Sequence, residues 1–224
     1  MSIQNILRER QIQYLCHFTR LENLESILTH GLIPRSDLYN PVFNPNRDLR
    51  VSGLFNDTVR ADNHPDATCL SISFPNSRMF SALRHECING KWIEKQGIYW
   101  AVIVLKSDVL LKKDCAFYPI NAADSDVNSE EADNFKSLDS FRQMFEGSNK
   151  EREFLLPKDP TNVQAEVLVF DCIESSYILG AVLMSDEDVN YFKEKFSKLT
   201  FFKHRYWDVF SDRYCARING FKGY

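Results

Sequence analysis

The chain has 224 residues, 44% of them hydrophobic, and a formal net charge of −4. This length and composition predict one sizeable core and a single domain over residues 1–224. The longest apolar runs, in residues 97–105 and 177–184, are too short to cross a bilayer, so we expect no contact with a membrane. The negative charge argues against a surface that binds nucleic acid everywhere.

The first ten residues carry charges where a signal peptide needs an apolar core, which predicts a cytoplasmic protein. The six cysteines are dispersed, without a paired spacing, at Cys16, Cys69, Cys87, Cys115, Cys172 and Cys215. We therefore expect neither a metal site nor, in a reducing compartment, disulfides. A cysteine nucleophile beside His17 or His85 is possible on residue types alone, with no support from the flanking residues.

Residues 3–10 predict a short helix or a turn, and residues 14–18 predict a strand. Thr19 is placed as the N-cap of the next helix, with Glu22 three positions later completing a capping box. Apolar residues then recur at helical spacing at Leu21, Leu24, Ile27 and Leu28. Gly31 predicts the end of this helix. The strand therefore delivers His17 to the mouth of a helix; the alternative is an ordinary hydrogen-bonded strand histidine.

The middle of the chain mixes strands and helices without a βαβ rhythm, which predicts an α+β fold. Residues 67–74 and 99–105 predict strands, and residues 77–89 and 107–112 predict helices. An acidic loop from residue 121 is followed by helical spacing in residues 135–145. Residues 150–160 are either a simple connector or a loop that contacts a substrate.

Glu166 lies in an alternating segment, residues 163–170, that predicts a strand. A carboxylate there faces solvent, a partner or a cleft. After it, residues 177–183 predict a strand and residues 187–198 a surface helix. No glycine-rich phosphate loop of the Rossmann or P-loop type occurs.

The last 32 residues are basic and aromatic. They carry eight basic against three acidic residues, interleaved with Phe, Tyr and Trp. Such a mixture can hold a phosphate backbone and stack bases. We expect this role of Arg205, Arg213 and Arg217 in particular, while the aromatics equally suit a core.

Three segments taken together resemble the DarT family of nucleic-acid ADP-ribosyltransferase toxins over residues 12–182. The first runs from His17-Phe18-Thr19 through Asn23-Leu24 and Ile27-Leu28 to His30-Gly31-Leu32. The second is Cys69-Leu70-Ser71-Ile72-Ser73-Phe74-Pro75-Asn76-Ser77-Arg78-Met79-Phe80. The third is Gln164-Ala165-Glu166-Val167-Leu168-Val169. The form of the first is shared with other ADP-ribosyltransferases, whereas the order of all three is more specific.

The resemblance implies a split, strongly bent β-sandwich with peripheral helices around a cleft that holds NAD. Glu166 matches the catalytic glutamate of the family. His17 and Thr19 match positions that hold the ribose and the nicotinamide amide. The positions that close the cofactor pocket match Asn23, Gly31 and Leu32.

The family also uses an arginine between the first two segments, at the cofactor phosphates or the reacting centre. The candidates are Arg47, Arg50 and Arg60, whose forked, always-charged guanidinium suits phosphate. Spacing does not choose among them. We favour Arg50 as the catalytic arginine and Arg60 as a cofactor ligand, and either could be a surface residue.

The expected function is transfer of ADP-ribose from NAD to a base of single-stranded nucleic acid, with DNA favoured over RNA. The alternatives are an ADP-ribosyltransferase acting on protein, an NAD glycohydrolase, or a binding module without catalysis. The resemblance further implies a toxin with a cognate antitoxin and a role in bacterial or antiviral defence.

Overall fold

The structure is a computed structural model that describes residues 2–38 and 61–224. Its helices are α1 (Ile3–Glu9), α2 (Leu21–His30), α3 (Arg35–Leu38), α4 (Ser77–Arg84), α5 (Val109–Lys112), α6 (Leu138–Gln143), α7 (Asp186–Lys195) and α8 (Arg213–Ile218), with 3-10 turns at Ala132–Phe135 and Ser175–Tyr177. Its strands are β1 (Tyr14–Arg20), β2 (Thr68–Ile72), β3 (His85–Ile88), β4 (Lys91–Glu94), β5 (Trp100–Lys106), β6 (Cys115–Tyr118), β7 (Glu166–Val169), β8 (Ile178–Leu183) and β9 (Thr200–Lys203).

Within the described residues, seven strands form one sheet in the order β6-β7-β2-β1-β5-β8-β9, and β3 and β4 form a separate hairpin. All neighbours in the large sheet are antiparallel except β8 and β9. The predicted α+β class is confirmed.

The sheet divides between β1 and β2. These strands pair at Leu15 with Ile72 and at Cys16 with Ser71. β1 then continues beside β5 as far as Arg20, while β2 is paired with β7 on its other side. The separation produces two half-sheets, β6-β7-β2 and β1-β5-β8-β9, joined at one end. This is the split arrangement that the resemblance implied.

Both faces of the sheet are buried. Along β1, Leu15 packs into one apolar cluster with helices α1, α2 and α6, whereas Cys16 packs into a second cluster around Trp100 and Phe80. A third cluster lies at the β6–β7 end, around Tyr118 and Leu168. Because each face is packed, the register of the central strands is strongly specified.

The predicted helix over residues 77–89 is wrong in its second half. The helix ends at Arg84, and His85–Ile88 forms β3 of the hairpin. Asn89 and Gly90 join the strands with positive φ of 52° and 76°. This Asn-Gly pair is a strong hairpin signal, and it breaks the helical pattern at the point where the apolar spacing alone continues it.

Two local predictions near the candidate site also need correction. Arg20, not Thr19, is the N-cap of α2 and makes no side-chain capping bond, because Thr19 is still paired in β1. The capping box is therefore wrong. The strand predicted over residues 163–170 is shorter, and Glu166 is its first residue. The residues just before it are held by turns and side chains.

Candidate active site

His17 lies in β1 just beyond the last paired residues of β1 and β2. Its Nδ1 is 2.9 Å from the carbonyl oxygen of Cys69 in β2. A carbonyl only accepts, so Nδ1 carries the hydrogen, and in the neutral ring Nε2 is then the acceptor. The ring thus spans the opening between the half-sheets with a fixed tautomer.

Thr19, two residues after His17 in β1, forms a second fixed contact with Asn23 in α2. The Asn23 Nδ2 donates to the Thr19 Oγ1 at 3.1 Å, and both side chains are buried. An amide nitrogen only donates, so the Thr19 oxygen accepts here and its own hydrogen can serve another acceptor. The first turn of α2 therefore orients a hydroxyl delivered by β1.

Gly31 and Leu32 lie where the chain leaves α2. The amide of Gly31 donates to the Ile27 carbonyl, and Leu32 exchanges two backbone hydrogen bonds of 2.8 Å with Ile173. Gly31 has φ of +91°, and a Cβ there would lie 2.2 Å from the Ile173 carbonyl oxygen. The close approach of these two backbones therefore requires glycine.

Glu166 opens β7, on the other half-sheet. Its Oε1 accepts from the backbone N–H of Ala122 at 2.6 Å, and its residue partner across the ladder is Tyr118 of β6. A charge-assisted bond of this kind holds the carboxylate in one orientation. β7 and β1 flank β2 on opposite sides, so one strand separates Glu166 from His17 in the sheet.

Tyr118 is a buried neighbour of Glu166 that the sequence did not single out. Burial, with the nearby charges of Asp62 and Glu166, raises the Tyr118 pKa to about 12, so the phenol stays neutral. Its ring stacks on Phe135 at 4.2 Å. An all-buried strand such as β6 shows no alternation, which is why sequence reasoning did not predict it.

The family model for DarT, described as ssDNA thymidine ADP-ribosyltransferase, matches residues 16–213. The chain belongs to the DarT family. The match covers the segments that carry His17, Thr19 and Glu166, and it confirms the resemblance identified from the sequence. A search of curated proteins found no match.

Solved DarT structures share the fold at low identity. Thermus sp. 2.9 DarT in complex with NAD+ is 14% identical, with a TM-score of 0.50 over 87% of this chain and 96% of that one. The same DarT in complex with ADP-ribosylated ssDNA is 14% identical, with a TM-score of 0.51 over 87% of this chain and 95% of that one. Thermosipho africanus DarTG in complex with ADP-ribose is 16% identical, with a TM-score of 0.51 over 85% of this chain and 50% of that one. This chain thus spans half the length of the DarTG chain.

The arginine predicted for the DarT site is not among these contacts. Arg47, Arg50 and Arg60 lie outside the described residues. The choice among the three stays a prediction.

Cysteine and metal chemistry find no support in the part of the chain that the structure describes. All six cysteines are free thiols, and burial raises the pKa of both Cys16 and Cys115 to about 12, which disfavours the nucleophilic thiolate. No group of three or more His, Cys, Asp or Glu side chains in residues 2–38 and 61–224 is placed to hold a metal ion. Nor is any helix in these ranges long and apolar enough to cross a membrane.

The nucleic-acid role predicted for Arg213 and Arg217 is wrong. Both guanidinium groups are buried and bonded to the segment before Glu166. Arg205 is exposed, beside Tyr206, which is 89% exposed. Of these three arginines, only Arg205 therefore lies at the surface.

Proposed function

We propose that this protein transfers ADP-ribose from NAD to a base of single-stranded DNA, thymine according to the family description. Three oriented side chains on strands that flank β2 support this proposal: the Glu166 carboxylate at the start of β7, and the His17 ring and the Thr19 hydroxyl in β1. A binding module would not need the carboxylate.

In this proposal His17 and Thr19 hold the nicotinamide riboside part of NAD. Asn23 orients Thr19, and the backbone at Gly31 and Leu32 closes the pocket. An arginine between the first two motifs, with Arg50 favoured and Arg60 next, neutralises the phosphates. The protein works as one ADP-ribosyltransferase domain and uses NAD as co-substrate.

Glu166 supplies the chemistry. The bond between nicotinamide and ribose C1 breaks, nicotinamide leaves with the electron pair, and the carboxylate stabilises the positive charge that develops on the ribose. A nitrogen of the acceptor base bonds to C1, and its proton passes to Glu166 as general base. Such proton transfer contributes on the order of 10² to 10⁴ in rate.

The acceptor must be unstacked, because the reacting atom is hidden in a duplex. DNA and NAD meet in the cytoplasm, where we place the protein. We further propose a toxin with a cognate antitoxin partner, in a defence system.

The test is incubation of the purified protein with NAD labelled in its adenylate, together with matched oligonucleotides. We expect label on single-stranded DNA that contains thymidine, and none on the same sequence annealed to its complement or lacking thymidine. Label on matched RNA and none on DNA would show that the acceptor is RNA. Free ADP-ribose alone, or label on protein alone, would contradict transfer to DNA.

A further inference from the structure

Asp159, seven residues before Glu166, is a fully buried carboxylate. Arg217 of α8 grips it with two bonds, from Nε to Oδ2 at 2.7 Å and from Nη2 to Oδ1 at 2.6 Å. The side chains of the pair are 0% and 1% exposed. This bidentate geometry fixes direction as well as distance.

The same carboxylate reaches the end at which the two half-sheets are joined. The Ser73 hydroxyl, directly after β2, is 2.9 Å from Oδ1, and the Leu156 amide donates to Oδ2 at 2.9 Å. The Ser73 amide in turn donates to the carbonyl of Tyr14, the first residue of β1. Asp159 therefore joins three parts of the molecule: α8, the β1–β2 junction and the segment that leads into β7.

Two further arginines fasten the residues next to Asp159. Arg213 donates to the carbonyls of Pro160 and Thr161 at 2.8 and 3.0 Å. Arg152 donates to the Asp159 carbonyl at 3.2 Å and to the Thr161 Oγ1 at 2.7 Å. This stretch has no strand ladder of its own, so these bonds determine the path of the backbone toward Glu166.

The contacts on the NAD side are separate from this network. His17 is held by the Cys69 carbonyl and Thr19 by Asn23. Asp159 makes neither of those two bonds, so a change at Asp159 removes neither of them and acts first on the approach to Glu166.

We propose that Asp159 and Arg217 are a positioning pair that sets the segment before Glu166 for the DNA acceptor. This inference rests on the proposed function. A buried ion pair is a poor stability device, since apolar replacements are often neutral or better. Its particular contribution here is a unique orientation of three elements that meet beside the catalytic strand.

The first variant is Asp159→Asn, which keeps the shape and removes the charge. On folded protein we expect kcat/KM for the oligonucleotide to fall at least tenfold, through both a lower kcat and a higher KM. The KM for NAD should stay within about twofold. The ratio of NAD hydrolysis to transfer should rise, because the ribose centre still reacts while the acceptor is misplaced.

The second variant is Arg152→Ala, whose side chain is only partly buried, so that folding is a smaller risk. It removes the bonds to Asp159 and Thr161 without stranding a buried carboxylate. We expect the same pattern of changes, with kcat/KM for the oligonucleotide falling about threefold to tenfold. The matched control is Asp186→Asn, which breaks an exposed ion pair with Lys203 at the other edge of the sheet and should leave all parameters unchanged.

The outcomes distinguish a failure of the inference about Asp159 and Arg217 from a failure of the proposed function. If both activities fall in proportion to the folded fraction, with both KM values unchanged, the pair is only structural and the inference is wrong. Wild-type-like transfer by folded Asp159→Asn would also overturn it. If Asp159→Asn does not fold, Arg152→Ala decides in the same way. Wild-type protein that transfers nothing to DNA overturns the proposed function itself, whatever the variants do.

Discussion

His17 is held in one ring orientation, because Nδ1–H is engaged with the carbonyl of Cys69. Thr19 is similarly oriented by Asn23. Each side chain is thus fixed before a ligand arrives, which lowers the entropic cost of binding. At these two positions the orientation of the side chain therefore matters more than its residue type.

The first prediction concerns the affinity for NAD. His17→Gln removes the fixed ring acceptor, and the loss of one well-placed hydrogen bond should raise the KM for NAD about tenfold. Steady-state kinetics at saturating oligonucleotide measures it. His85→Gln is the matched control, because its ring is bonded to the carbonyl of Ser81 in the preceding helix α4. An equal effect of both variants would remove His17 from the site.

The second prediction concerns the surface arginine. Arg205→Ala should weaken binding of single-stranded DNA and lower the slope of log K against log salt by about 0.7, the contribution of one phosphate contact. The control is Arg142→Ala, whose partly exposed side chain is paired with Asp139. An unchanged salt slope would show that Arg205 makes no phosphate contact and is an ordinary surface charge.

At the scale of elements, the sequence predicted the strand of His17, the helix after it and the strand of Glu166. Their periodicity is regular and their packing is local. The sequence prediction failed for Arg213 and Arg217, because their partners are distant in the chain and no local pattern connects them. Arg217 binds the Asp159 carboxylate 58 residues away, and Arg213 binds the carbonyl of Pro160, 53 residues away. The prediction also failed at the hairpin, where the apolar spacing of the helix outweighed the Asn89-Gly90 turn.

The third prediction concerns the exit of α2. Gly31→Ala combines a strained positive φ with a Cβ 2.2 Å from a backbone oxygen. Gly90→Ala shares the positive φ but has nothing within 4 Å, so it is the matched control. We expect about 1 kcal/mol of destabilisation for the control, and at least about 2 kcal/mol more at Gly31. Urea unfolding measures both; equal losses would show that the chain relaxes freely at Gly31.

At the scale of the whole molecule, the buried ion pair links folding to pH. Burial alone would raise the pKa of Asp159, but the hydrogen bonds and charge of Arg217 outweigh it, so the pKa lies below its usual value. A lowered carboxyl pKa adds stability that is present above the unfolded-state value, about 3.9, and is lost as the pH falls through the folded-state value.

The fourth prediction follows from that sign. Asp159→Asn should cost about 3–5 kcal/mol at neutral pH, because it leaves Arg217 buried without its charge partner. The free-energy gap to wild type should stay constant above about pH 5 and narrow below about pH 4. Urea unfolding across pH measures the gap, with Asp186→Asn as control. Parallel curves down to the lowest pH would contradict the depressed pKa.

The central claim is that Glu166 carries out the transfer of ADP-ribose. The direct measurement is label transfer from NAD to a thymidine-containing single strand by wild type, Glu166→Gln and the exposed-helix control Glu187→Gln. We predict that Glu166→Gln lowers the transfer rate at least about 100-fold while NAD still binds, and that the control matches wild type. Transfer by Glu166→Gln at the wild-type rate would contradict the account.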